Sequence, residues 1–354
     1  MKNLLRLFSI LFASALLFSA CEGPMGPTGA TGANGKDGKD GIDANATCTQ
    51  CHNSDALIET RVAQWEESVH ATGGNAAYAN RTGCLQCHTS QGFLETIAEG
   101  STANLTVPDE PQQINCYTCH MIHETYTIAD WDLTDPGAKV LDVKSHGSDV
   151  TYDLGNSNQC VRCHQARPID PAPVEDGADF QITSSRIGHH HGPQANLLLG
   201  KTDLELSGNA YPSSNAHASS TGCIHCHMAK PYGYQAGQHQ FGMVYDSHGT
   251  EELNTNGCLT TGCHSDATTL ETNLEALHIA VEAKLDSLAT MLESAGIYDP
   301  STGLAKNGTF NANAVMAYLN FNMIEEDRSL GVHNPPYIKV LLRNSIQSLL
   351  DLGY

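Results

Sequence analysis

The chain has 354 residues, with 39 acidic side chains against 18 lysines and arginines and a formal net charge of −21. That balance excludes the basic stripe a nucleic-acid partner requires and disfavours docking on anionic lipid through a charged face. Hydrophobic residues make up 40% and aromatics 6%. This is thin material for a core at this length, so something besides side chains fills the interior or much of the chain is loop. No apolar run beyond residue 20 reaches the ~20 residues of a membrane-spanning helix.

Residues 1–20 read as an export leader, with Lys2 and Arg6 ahead of the apolar stretch Leu7 to Phe18 and the small pair Ser19-Ala20. The run Leu17-Phe18-Ser19-Ala20-Cys21 resembles the lipobox of bacterial lipoproteins, with Phe18 where that family usually has leucine. The resemblance implies an exported bacterial lipoprotein, lipidated at Cys21 and anchored by multiple acyl chains. Glu22 in place of the family's aspartate retention signal favours the outer membrane or cell surface. Cysteine parity agrees: of 13 cysteines, all but Cys21 fall into pairs. From Gly23 to Asp43 every third residue is glycine, a collagen-like tract of seven Gly-X-Y triplets. Residues 21–47 are thus either a spacer of about 25 Å as flexible coil or a short triple helix that would make a trimer.

The remaining twelve cysteines carry the chemistry. Five pairs are C-x-x-C-H: Cys48-Cys51-His52, Cys84-Cys87-His88, Cys116-Cys119-His120, Cys160-Cys163-His164 and Cys223-Cys226-His227. The sixth, Cys258-Cys263-His264, is two residues wider, a spacing that also occurs in cytochromes of the c3 type. C-x-x-C-H is the attachment site of c-type haem. Two thiols reach the vinyl groups along one porphyrin edge, and the next residue places an imidazole on the iron. One such motif would suit a zinc half-site or a redox dithiol. Six copies, each with its histidine, in an exported chain point to six covalent haem c groups. The porphyrins then replace the missing apolar mass.

The second ligand to each iron decides function. Twelve histidines remain, and spacing singles out several. His70 and His146 each lie fourteen residues before the next motif, His248 lies ten before Cys258, and His217 six before Cys223. The pattern suggests a histidine that serves the motif after it or a neighbour. His123, three residues past His120, cannot comfortably reach the same iron and suits an adjacent haem. His225, inside a motif, reads as exposed.

From Cys48 to about His123 the chain resembles a cytochrome c554-type module, through Cys48-Thr-Gln-Cys51-His52, Trp65-Glu-Glu-Ser-Val-His70-Ala71 and the pairs at Cys84 and Cys116. That resemblance implies a distal role for His70. From His189 onward the chain resembles multihaem cytochromes related to the nitrite reductase and octahaem reductase group. The matching pieces are His190-His191-Gly-Pro-Gln-Ala195, Ala216-His217, Gly222-Cys-Ile-His-Cys-His-Met228 and Gly237-Gln-His239-Gln-Phe241-Gly-Met243. It implies distal roles for His217, His239 and one of His189 to His191, with His190 the choice. The ammonia-forming members mark their catalytic haem with lysine in place of the motif histidine. All six motifs here end in histidine, so that haem is absent.

After His264 the pattern changes. Leu274, Leu277, Val281, Leu285, Leu288 and Leu292 recur at helical spacing over about 270–295. A second helix is expected from about Asn311 to Ser329, and a third from the N-cap Asn334 with Pro335 at its first position. His278 is either a ligand or a packed core histidine. The segment Asp327 to Pro335 resembles the C-terminal helical region of the reductase-related group, but a capping or loop role is favoured for His333. The expected fold is mainly α with extensive loops: a haem-wrapping region at 48–268 and C-terminal helices at 269–354 packed on it. The expected task is electron transfer to redox partner proteins or extracellular acceptors. The sequence leaves open a reductase with one open haem, and a homo-oligomer or filament.

Overall fold

Short helices, several of them carrying an attachment motif, alternate with loops until the last ninety residues, where three long helices take over. This is the architecture of a computed structural model, which describes residues 48, 51–52, 56–141, 143 and 150–354. The leader, Cys21, the Gly-X-Y tract and His146 lie outside the described residues. Everything described belongs to one unit, Asn45–Tyr354.

Capping chemistry sets the early turns. After α1 (Ala56–Glu66), Ser68 opens α2 (Val69–Thr72) by accepting from the Ala71 N–H. Helices α3 (Thr82–His88) and α4 (Ser90–Glu99) meet at Thr89, whose hydroxyl accepts from the Gly92 N–H. Gly92 is needed there, because a Cβ would stand 2.5 Å from Leu85 Cβ. Helix α5 (Cys116–Cys119) carries a capping box between Asn115 and Thr118. Strands β1 (Lys139–Leu141) and β2 (Val150–Tyr152) pair antiparallel with Lys139 opposite Tyr152. They lead into α6 (Asn158–Val161), β3 (Phe180–Ile182), α7 (Gln194–Leu199), α8 (Ala216–Ser220) and α9 (Cys223–His227). Next, β4 (Val244–Ser247) and β5 (Thr250–Leu253) form a hairpin. Its tip is His248-Gly249, with φ of 59° and 89°, as a tight two-residue turn requires.

Helix α10 (Ala267–Ser294) starts from an Asp266 cap. Strands β6 (Tyr298–Asp299), β7 (Leu304–Ala305) and β8 (Gly308–Phe310) lead to α11 (Ala312–Asp327) and α12 (Pro335–Asp351). Asn334 caps α12 by accepting from the Tyr337 N–H, with proline in its first turn as the sequence indicates. Strand β8 returns to pair with β3, Phe310 opposite Phe180, which ties the C-terminal helices to the chain before them.

The largest core lies here. Leu277, Val281, Leu285, Leu288 and Leu292 of α10 meet an almost wholly buried α11 and the Ile338, Leu341, Leu342 stripe of α12. Burying each such leucine or isoleucine contributes about 1.5–3 kcal/mol. Ile182, Leu197, Leu204 and Leu206 join this core from before α10, and two smaller clusters lie elsewhere among the described residues, one around Leu141, Tyr152 and Val161 and one of Ala79, Leu85 and Leu105. Among the described residues, no helix is long and apolar enough to cross a membrane.

Candidate functional site: six opposed histidine pairs

Each motif is closed the same way. The first cysteine's carbonyl accepts from the motif histidine's N–H, at 2.6 Å for Cys48/His52, 2.9 Å for Cys116/His120 and 3.0 Å for Cys160/His164. Motifs two and five lie within helices α3 and α9. One helical turn puts residues three and four apart on one face, so two thiols and an imidazole project together. The wide sixth motif closes on the same bond, His264 N–H to Cys258 carbonyl at 3.1 Å. Its two extra residues are absorbed in a turn where Gly262 takes φ of 87°. None of the twelve motif cysteines is in a disulfide.

Every motif histidine faces a histidine from outside the motifs. The pairs are His52–His123, His164–His70, His88–His190, His120–His239, His264–His217 and His227–His333. Their ring centroids are 6.1, 6.3, 6.0, 6.2, 6.5 and 6.3 Å apart. An imidazole nitrogen sits about 2 Å from a first-row metal and its ring centre roughly 1.2 Å beyond. Two imidazoles on opposite sides of one metal therefore stand about 6.3 Å apart. The spacing recurs six times and matches an axial pair. No cluster of three or more His, Cys, Asp or Glu fit to hold a metal occurs among the described residues. The donors stand in twos, so an ion between them needs its equatorial ligands from elsewhere. A porphyrin would supply them, and the adjacent cysteine pair would hold it. The residues fit that group.

Several Nδ1 atoms are held by acceptors, which leaves Nε2 for the metal. The Nδ1–H of His120 donates to the Trp131 carbonyl (2.7 Å), that of His227 to Phe241 (2.8 Å) and that of His217 to Val332 (2.9 Å). His164 uses the Gln194 side-chain oxygen at 3.2 Å, and His333 the Asp327 carboxylate at 2.7 Å. His239 differs, with the Arg61 guanidinium 3.4 Å from its Nδ1. His123 sits in a left-handed turn (φ 65°) whose N–H groups converge on Asp130. Burial, which opposes ionisation, is outweighed there by these hydrogen bonds, and the Asp130 carboxyl stays below its usual range.

Burial disfavours the charged form of several of these imidazoles. His70 is pushed down to about 4 by burial, then by His164. His190 falls to about 4 through burial and Arg167, and His239 to about 4 through burial, Arg61 and His120. His333 goes the other way: burial would lower it, but the Asp327 carboxylate raises it.

The motifs are stitched to one another. Thr118 of motif three bonds Ser90, just past motif two, at 2.8 Å, and its carbonyl accepts from Gln159, just before motif four, at 3.2 Å. The Cys163 thiol meets the Gln86 carbonyl at 3.6 Å and the Cys87 thiol. Motif four reaches motif five through Ser157, which accepts from the Ile224 N–H at 3.2 Å, and through a Cys160–Cys223 thiol contact. Motif five reaches motif six through His225, whose ring donates to the Gly257 carbonyl at 2.9 Å. Gly257 has no room for a Cβ, which would lie 2.7 Å from the His225 carbonyl. Motif one joins through His123, whose ring lies 6.2 Å from Tyr117 inside motif three. The stations therefore follow the order one, three, four, five, six, with two beside three and four.

The structure rearranges the sequence reading of the axial residues. His70, His123, His190, His217 and His239 each face a motif histidine, but none serves the motif that follows it: His70 faces His164, and His217 faces His264. His248 occupies the exposed hairpin tip, and no motif histidine faces it there. In its place stands His333, which the sequence favours as a loop residue. The signal for it was an acid six residues earlier, within a tight link between two apolar helices. His225 is half-buried and bridges two motifs, contrary to the exposed role expected. His278 and His189 are packed without a motif partner, each with a buried unpartnered nitrogen, and His191 bonds Glu326.

No protein-family model matches the chain, and no curated protein matches it. Among solved structures it is similar to the crystal structure of the outer cell wall cytochrome OcwA. The TM-score is 0.52 at 19% identity, over 81% of this chain and 49% of that one. The chain thus spans about half the length of that cytochrome, and shares its fold.

Proposed function

We propose that the chain is an exported, lipid-anchored c-type cytochrome with six covalent haems, which relays electrons at the outer membrane or cell surface. One observation carries the reading: all six motif histidines face a second imidazole at the spacing of a shared metal. When bound, haem supplies a one-electron Fe(III)/Fe(II) couple. The twelve motif cysteines would hold it, and the six pairs of facing imidazoles would ligate its iron. Closed coordination leaves no site for substrate and changes little between the two iron states, which suits transfer and disfavours a reductase with an open haem. The contacts between motifs support hopping from one station to the next.

Placement rests on the lipobox-like Cys21 and the Gly-X-Y tract, and the likeness to an outer cell wall cytochrome supports it. An acidic surface suits redox partners with basic patches, or cationic acceptors, through small transient interfaces. The test is pyridine haemochrome quantitation of the exported chain, followed by carbon monoxide addition to the reduced protein. The reading expects six haems per chain and an unchanged spectrum on carbon monoxide. Stoichiometric binding of carbon monoxide at one haem would favour the reductase.

A further inference from the structure

Five axial imidazoles have a characterised Nδ1 acceptor, and one of these acceptors is charged. Asp327 closes helix α11, with Arg328 in the left-handed conformation just beyond it. Its side chain is fully buried, 0% exposed, and accepts the His333 Nδ1–H at 2.7 Å. Its other oxygen accepts from the Ser329 hydroxyl. That position is unfavourable twice over. A buried carboxylate loses its hydration, and the C-terminal end of a helix repels negative charge. The two hydrogen bonds offset this, and His333 is held in place by two more: its N–H donates to the Ser329 hydroxyl at 3.3 Å, and its carbonyl accepts from Asn215 at 2.7 Å.

A carboxylate on the outer nitrogen of a metal-bound imidazole raises the ligand's basicity. It favours the more positive iron, Fe(III), and so lowers the potential of that site. At His239 the neighbouring group is the Arg61 guanidinium, 3.4 Å from Nδ1. A cation there disfavours Fe(III) and raises the potential. The two sites are separated by motif four, which touches motif five through Ser157 and motif three through Gln159.

We infer that Asp327, acting through His333, makes the haem of Cys223 and Cys226 a low-potential station, and that Arg61 makes the haem of Cys116 and Cys119 a high-potential one. Electrons are thereby biased from motif five through motif four to motif three. Each hop oxidises one Fe(II) to Fe(III) and reduces the next Fe(III) to Fe(II). The inference rests on the haem reading above and goes further by giving the relay a direction. Asp327 is a positioning and tuning residue that never touches the iron.

The experiment is a potentiometric titration of the holoprotein by visible spectra and EPR, with haem quantitation of every sample. Asp327→Asn keeps shape and an acceptor oxygen but removes the charge. It is expected to raise the reduced-to-oxidised ratio of one haem about tenfold at a fixed potential, about 59 mV for one electron, with that haem still low-spin. Ser329→Ala frees the carboxylate from its second hydrogen bond and should move the same step the opposite way. Arg61→Gln should lower a different step. Six haems with every step unmoved in Asp327→Asn overturns the inference alone. If Asp327→Asn fails to fold, an unmoved step in Ser329→Ala overturns it. Wild-type protein without haem overturns both the inference and the haem reading.

Discussion

In the C-terminal helices Leu288, Leu341 and Tyr337 are 0% exposed, each enclosed by other side chains. Around the early motifs the pattern inverts: Leu57, Val69, Tyr78 and Ile128 are each more than 60% exposed. The two regions belong to one unit, yet the large core lies with the helices, joined by Ile182, Leu197, Leu204 and Leu206, while the motif region's own clusters are small. The difference teaches which region is held by side-chain burial alone. The helices need little beyond hydrophobic burial. The motif region has apolar flanks, cysteine pairs and imidazole pairs, all arranged around what the chain does not encode.

The sharpest way to break this contrast is to withhold haem. In a chain produced without cytochrome maturation, hydrogen exchange should show protection lost throughout residues 56–141 and retained in α10 to α12. Equal protection of both regions would contradict the comparison. Next in size, Leu341→Ala should cost about 2–5 kcal/mol in denaturant unfolding, with haem content and spin state unchanged. A smaller, local effect is expected from His70→Ala: one low-spin site becomes high-spin while His248→Ala leaves all six unaltered. A changed spectrum in the His248 variant would restore that residue as a ligand.

The smallest effect concerns Glu325, half-exposed on α11, whose carboxyl is raised by burial, then by Asp286 and Glu326. Because its folded value exceeds the unfolded one, stability falls as pH rises through that interval. Glu325→Gln should therefore raise Tm by about 1 °C at pH 7 and leave it unchanged below the ordinary carboxylate range.

What the sequence reveals divides along the same line. The six motifs and three helices are legible because each is local: one helical turn holds a motif, and a 3.6-residue stripe marks a helix. The axial pairing is not local. His120 and His239 come from opposite sides of two other motifs, so counting residues to the next motif does not identify which motif histidine His70 or His217 faces. His248 shares the Ser-His-Gly look of His146, but it stands at the tip of a tight hairpin turn. His333 lies in no haem-attachment motif, and packing of the α11–α12 link brings it to His227. Resemblance to known cytochromes supplies His217, His239 and His190 for the same reason: it encodes three-dimensional proximity that spacing lacks.

The central claim is that twelve histidines close six irons in pairs. EPR of the fully oxidised holoprotein tests it most directly. The account predicts low-spin ferric signals integrating to six per chain; a high-spin signal approaching one per chain would contradict it.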